Sequence, residues 1–228
     1  MIPWRGMSDL GRPLAFFDTE ATGTNHKRHE VIEVGLVREA ARGGDHAYDT
    51  ALELCRQRNL PEPREISLNG RVITFETRVR PQRIQDAEPS ALKINGYSDQ
   101  DWIGAPSFET VAPVLSALLD DCIVIGSKPD FDIDIVQTEF DRLGMPHPRT
   151  MPRTIDIRTL AFEHLSPLGL RGTGLDSVCD FLGIDIHPRH RALPDALRSR
   201  EAYRAIFRTG PLDRLILRLR RTLQEKIP

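Results

Sequence analysis

Asp18 and Glu20 stand one residue apart at the end of an apolar run that begins at Pro13 and passes through Phe16 and Phe17. An uninterrupted apolar stretch leading into a polar turn at Thr22-Gly23 reads as a buried strand. Strand side chains at i and i+2 share a face, and two residues of rise set this pair about 6.6 Å apart along it. At that spacing two desolvated carboxylates repel each other and lose hydration unless a cation lies between them. The chemistry on offer is therefore metal ligation. On a strand that runs out into solvent, the same pair would simply be hydrated, so the choice depends on whether further acids arrive downstream.

Two later clusters supply them. Asp130-Phe131-Asp132-Ile133-Asp134 directly follows a short apolar strand, 122–125, that ends at Gly126. Ligands collect beyond strand ends in open α/β sheets; capping and the helix dipole are the other reason for aspartates at a helix start. The third cluster is His190-Arg191-Ala192-Leu193-Pro194-Asp195-Ala196, where Pro194 marks a helix start with Asp195 in its first turn and His190 on the loop before it. An imidazole with a pKa near 6.5 beside a metal-bound water suits a general base. His187 competes for that role or forms a His-x-x-His pair with His190, and a loop histidine can equally be just solvated.

The elements that must carry these clusters follow from periodicity. Residues 31–37 read as a second buried strand, joined to the first by a polar, basic turn short enough for an antiparallel hairpin. Residues 39–48 are loop-like around Gly43-Gly44, and 49–58 fit either strand or helix. Asn69-Gly70 between the alternating runs 65–68 and 71–75 is the preferred two-residue hairpin turn, so the first 80 residues look mainly β. Beyond Pro81 helices take over. Apolar residues recur at helical spacing across 107–119, and Pro113, which would break a helix begun at Ser107, falls in the first turn if Thr110 is the N-cap. Other helices cover 132–143, closed by Gly144, and 175–182, stopped by Gly183, and a last one after Pro194 carries Ala196, Tyr203, Ile206 and Phe207. This order predicts an α/β fold with a mixed sheet.

At 228 residues and 39% hydrophobic content the chain can bury a sizeable core, most simply as a single domain over 1–228. A formal charge of -2 excludes global attraction to nucleic acid, leaving local patches to do such work. Cys55, Cys122 and Cys179 are far apart and odd in number, which argues against a disulfide frame or a zinc-thiolate site and for a reducing compartment. With no apolar leader and no long apolar run, a soluble, cytoplasmic protein with no membrane partner is expected.

Phe17-Asp18-Thr19-Glu20-Ala21-Thr22-Gly23, then Gly126 through Phe131-Asp132, then His190-x4-Asp195-Ala196 occur in the order found in DEDDh 3′-to-5′ exonucleases, relatives of the proofreading epsilon subunit of bacterial replicative DNA polymerase. Val31-Ile32-Glu33-Val34-Gly35, Val79-Arg80-Pro81, Ala91-Leu92-Lys93-Ile94-Asn95-Gly96-Tyr97 and Thr154-Ile155-Asp156 resemble further stretches of that family, so the likeness runs over roughly 12–208. It implies an RNase H-like fold, a mixed five-stranded sheet flanked by helices, and two divalent cations. Hard oxygen ligands favour magnesium (Mg2+) or manganese (Mn2+).

By the same resemblance Asp18 is shared by the two metals, Glu20 and Asp195 hold the one serving the attacking water, and Asp132 supports the other. His190 takes the proton, and Thr19, Thr22, Gly23 and Lys128 meet substrate. The chain departs from the family at Ser127-Lys128-Pro129, where relatives commonly have His-Asn, and Asp130 or Asp134 could take the place of Asp132. Residues 39–70 are longer than the usual hairpin, as an inert loop or as a lid, partner site or substrate determinant.

The expected function is a metal-dependent exonuclease releasing nucleoside monophosphates from the 3′ end of single-stranded DNA, in proofreading with a DNA polymerase subunit. An RNA-trimming exoribonuclease is the nearest alternative, since contacts to the 2′-hydroxyl are not legible in these motifs. A catalytically idle scaffold subunit is the other, disfavoured by an intact set of four acids and a histidine. Arg56, Arg58, Arg64, Arg71, Arg78, Arg80 and Arg83 form either phosphate contacts or a solvated face. A basic amphipathic helix over about 211–225 packs on the domain or docks a polymerase or nucleic acid.

Overall fold

The computed structural model of the chain describes residues 11–41, 46–66, 72–150 and 154–208. Strand β1 (Leu14–Ala21) pairs antiparallel with β2 (Val31–Glu39), setting Asp18 opposite Gly35 and Glu20 opposite Glu33. Helix α1 (Ala47–Arg58), the two-residue strand β3 (Arg64–Glu65) and β4 (Val72–Arg78) follow, with β4 antiparallel to both β2 and β3. Three helices come next, α2 (Pro89–Ile94), α3 (Asp99–Trp102) and α4 (Phe108–Leu119). Strand β5 (Ile123–Gly126) lies parallel to β1 and leads into α5 (Pro129–Leu143). The described residues end with β6 (Ile155–Asp156), parallel to β5, and helices α6 (Ile157–Leu165), α7 (Leu175–Leu182) and α8 (Ala192–Arg208).

Among the described residues the sheet has six strands in the order β3-β4-β2-β1-β5-β6, one more than the five expected. The edge strand β3 comes from the long stretch between β2 and β4.

Alternation along β1 divides the molecule into two layers. Ala15 and Phe17 pack with Val111, Leu115, Ile135 and Phe140 of α4 and α5, whereas Leu14 and Phe16 pack with Ala196, Tyr203 and Ile206 of α8. Phe16 and Tyr203 meet edge to face at 5.6 Å. Burying each such side chain contributes about 1.5–3 kcal/mol, which fixes the phase of β1. Its even-numbered residues face α8, and Asp18 and Glu20 are even-numbered.

Local readings resolve by burial. Residues 49–58 are helix because Ala51 and Cys55, one turn apart, are both buried in the core shared with α4. Helix α4 begins earlier than expected: the Ser107 hydroxyl, not Thr110, caps it by accepting from Thr110 N at 3.3 Å. Pro113 therefore lies inside the helix, where one lost backbone bond is outweighed by burial of Val111, Val114, Leu115, Leu118 and Leu119.

The Asn69-Gly70 turn, Gly43-Gly44 and the amphipathic tail lie outside the described residues. Among the arginines of the central region, Arg56 pairs with Glu62, Arg78 lies over the Trp102 ring at 4.4 Å, and Arg83 sits beside Glu30. Among the described residues, no helix is long and apolar enough to cross a membrane.

Candidate metal centre

The site forms where β1 outruns its parallel neighbour. The β1–β5 ladder ends at Phe16 opposite Ile125. Gly126 then passes the β1 backbone so closely that a Cβ there would lie 2.8 Å from the Phe17 carbonyl oxygen. The turn into α5 at this point uses Lys128 in the left-handed region, φ 69°. With β5 gone, the Thr19 N–H at that edge of β1 needs another acceptor. Asp132, in the first turn of α5, supplies it: its Oδ1 accepts from Thr19 N at 2.9 Å and from Thr19 Oγ1 at 2.6 Å. Thr19 thus commits both donors to holding a carboxylate. Asp130 and Asp134 are exposed, and Asp130 accepts instead from Thr154.

Asp18 and Glu20 extend from the α8 side of the strand, and α8 brings Asp195 to them in its first turn. Ligand atoms of Glu20, His190 and Asp195 lie within 4.8 Å of one another. His190 is exposed and adopts φ 52° on the loop just before α8. His187 is exposed too, its N–H donated to Asp185, and it does not join this cluster.

Two residues quoted only as part of a strand prove to place this loop. Buried Glu33 accepts from Ala192 N at 3.2 Å and from Arg191 Nε at 3.0 Å, so β2 caps the N-terminus of α8. Gly35 makes room for it, since a Cβ there would lie 2.1 Å from backbone atoms of Ala192 and Leu193. Arg198, one turn after Asp195, donates to its carboxylate. No local sequence signal marks the Glu33 and Gly35 contacts, whereas Asp195 and Arg198 stand at the i, i+3 spacing of a helical ion pair.

The turn after β1 closes on itself. Thr22 Oγ1 accepts from Glu30 N at 2.9 Å, and the buried His29 ring packs against Gly23. Both Thr22 and Gly23 are buried, while Thr24 and Asn25 beyond them are exposed. Lys128 is exposed at the head of α5, its Nζ 5.3 Å from the Phe131 ring centre.

Burial dominates the electrostatics, and crowding of like charges adds to it. Burial, then Asp132, Glu20 and Asp195, push the Asp18 carboxyl well above the ordinary carboxylate range, opposed by Arg198. Burial first, then Asp195 and Glu33, raise Glu20 to about 8. Burial raises Asp132 to about 7 against the Thr19 hydrogen bonds, which favour its charged form. Asp195 is raised by burial, opposed by Arg198. Four carboxylates left this short of positive charge, with oxygen donors and one imidazole converging, fit a divalent cation.

Glu20 and Asp132 fix a pH dependence for the metal-free protein. Both are protonated in folded and unfolded chains below about pH 4, and their stabilising contribution is then fully present. As pH rises, the unfolded chain loses these protons while the folded one keeps them until about 7 for Asp132 and about 8 for Glu20. The melting midpoint in chelator should therefore fall between about pH 4 and pH 8. Saturating magnesium should raise it most at the alkaline end. Scanning calorimetry across that range checks both; a metal-independent midpoint at pH 8 would count against the site.

Residues 15–203 match the exonuclease family model. A PolC-type DNA polymerase III from Caldanaerobacter subterraneus is 22% identical over 187 residues, covering 82% of this chain and 11% of its own length. The DNA polymerase III epsilon subunit of Pasteurella multocida is 28% identical over 186 residues, covering 78% of this chain and 62% of its own. This chain thus spans less than two thirds of either relative. Among solved structures, Escherichia coli exonuclease I in complex with a dT13 oligonucleotide has a TM-score of 0.61 at 16% identity, over 90% of this chain and 42% of that one, a likeness of fold. The match to the family model extends from the first strand into α8 beyond Asp195, and by it this chain belongs to the exonuclease family.

Proposed function

We propose that the chain is a metal-dependent 3′-to-5′ exonuclease that shortens single-stranded DNA and releases nucleoside monophosphates, with one domain supplying the whole site. The observation that carries this reading is the cluster of Glu20, Asp195 and an exposed His190 beyond the end of β1, with Asp18 and buried Asp132 close enough to repel each other beside it. Two divalent cations, magnesium or manganese by the hardness of these donors, would supply charge neutralisation at the phosphate and acidify a water. Asp18, Glu20, Asp132 and Asp195 would hold them. His190, accessible at the rim, accepts the proton of the attacking water in its neutral form.

Thr19 keeps Asp132 in one orientation through two hydrogen bonds, a preorganisation that costs nothing at the moment of reaction. Lys128, exposed at the head of α5, would meet a substrate phosphate, and the turn holding Thr22 and Gly23 would meet the terminal nucleotide. DNA as substrate, and a polymerase subunit as partner in proofreading, are supported by the epsilon and PolC-type relatives and by the oligonucleotide in exonuclease I.

The test uses 5′-labelled single-stranded DNA and, separately, RNA of the same sequence, with magnesium or manganese and with EDTA as control. A ladder shrinking from the 3′ end of DNA, absent in EDTA, is expected. Preferential trimming of RNA would reverse the assigned sugar. No cleavage of either polymer by folded, metal-loaded protein would make this a binding subunit.

A further inference from the structure

We infer that Arg198 is a built-in counter-cation of Asp195 that sets how tightly the acidic site takes up a divalent cation; the inference rests on the metal-dependent reading above. The Arg198 guanidinium is 7% exposed and bridges three separate pieces of chain. It donates to the Asp195 carboxylate within α8, through Nη1 to Asp176 Oδ1 of α7 at 3.2 Å, and to the Ile186 carbonyl on the loop that leads to His190. Its Nε is buried with no hydrogen-bond partner. Arg189 reaches the other oxygen of Asp176 at 3.4 Å, so Asp176 is shared by two arginines.

A surface arginine would swing away when a metal arrives and would cost that metal little. Arg198 cannot, because Asp176 and the Ile186 carbonyl hold it from behind and the protein encloses it. Its positive charge therefore stays at hydrogen-bonding distance from an oxygen donor of the site. Like charges at that range in a partly desolvated space repel strongly, so Arg198 lowers the affinity for a dication. Without metal the same charge offsets the crowding of Asp18 and Asp195, which keeps these acids together until metal binds.

Arg198 acts through Asp195 and is a positioning residue. Asp176 tunes it in the opposite sense: as an acid drawing the guanidinium back toward α7, it weakens the grip of Arg198 on Asp195. The two residues therefore make opposite predictions for one measured quantity.

Isothermal titration calorimetry of the full chain with Mn2+ alone, without nucleic acid, tests the inference. Arg198→Met, which keeps the apolar stem and removes the charge, should bind Mn2+ at least about tenfold more tightly than wild type. Asp176→Asn, half-exposed and so compatible with the fold, should bind it more weakly. Arg198→Lys should remain near wild type. A folded Arg198→Met protein with unchanged or weaker affinity overturns the inference, because a merely structural arginine would alter stability and leave the Mn2+ affinity of the folded protein alone. Should Arg198→Met not fold, Asp176→Asn decides: weaker binding supports the inference and unchanged binding overturns it. Wild type that takes up no Mn2+ would sink the metal reading together with this inference, whereas wild type and all variants binding alike would sink this inference only.

Discussion

Asp18→Asn should abolish cleavage and at the same time raise the melting point of the metal-free protein. Asp18 is the acid on which the repulsion of Asp132, Glu20 and Asp195 converges, on top of its own burial. At neutral pH that carboxyl must take up a proton to be buried, whereas an amide of the same shape is neutral in both the folded and the unfolded chain, so this cost disappears. The amide also removes a ligand to which both metals answer in the proposed chemistry, so activity should fall by at least about 10³-fold. Gain of stability with loss of function is the mark of a site held together against its own electrostatics. Initial rates on labelled DNA and calorimetry in chelator read the two effects separately. Activity lost with a lowered melting point would mean that the fold, not the charge, had been damaged.

Gly35→Ala should impair both folding and catalysis although Gly35 touches no substrate. A single methyl there would lie 2.1 Å from backbone atoms of Ala192 and Leu193, and no rotamer change can move a backbone out of the way. The N-terminus of α8 must lift off β2, which strains the Glu33 hydrogen bonds to Ala192 N and Arg191. The cost should be on the order of 3 kcal/mol, the upper range for overpacking. Because the displaced turn carries Asp195 and is preceded by His190, a shift of about 1 Å should cost about 10²-fold in rate even where the protein is fully folded. Urea titration gives the first quantity, and rates measured well below the midpoint give the second. Wild-type rates from a destabilised variant would show that α8 can lift without disturbing the site.

Much of the frame was legible because it rests on short-range periodicity. The i, i+2 relation of Asp18 and Glu20, the apolar run through Phe16 and Phe17, the left-handed stop at Gly144 and the first-turn position of Asp195 are all properties of a few neighbouring residues. The helix start at Ser107 rather than Thr110 was not legible, because either residue can cap and the choice depends on which register buries Val111 and Leu115. The same holds for α1, whose sequence fits two structures until α4 covers Ala51 and Cys55.

Choosing among Asp130, Asp132 and Asp134 needed the phase of α5 against the open edge of β1, a relation between residues 113 positions apart that only the packed chain defines. Capping of α8 by Glu33 spans 159 positions and leaves no periodic trace, because a buried acid within an apolar strand looks the same whether it binds metal, pairs with arginine or caps a helix. By itself, then, the sequence determined which side chains could ligate and which elements carry them, since those are local relations of spacing and burial. Tertiary structure decided which candidates meet and which residues hold them there, because contact between distant segments depends on the packing of α5 and α8 on opposite faces of β1.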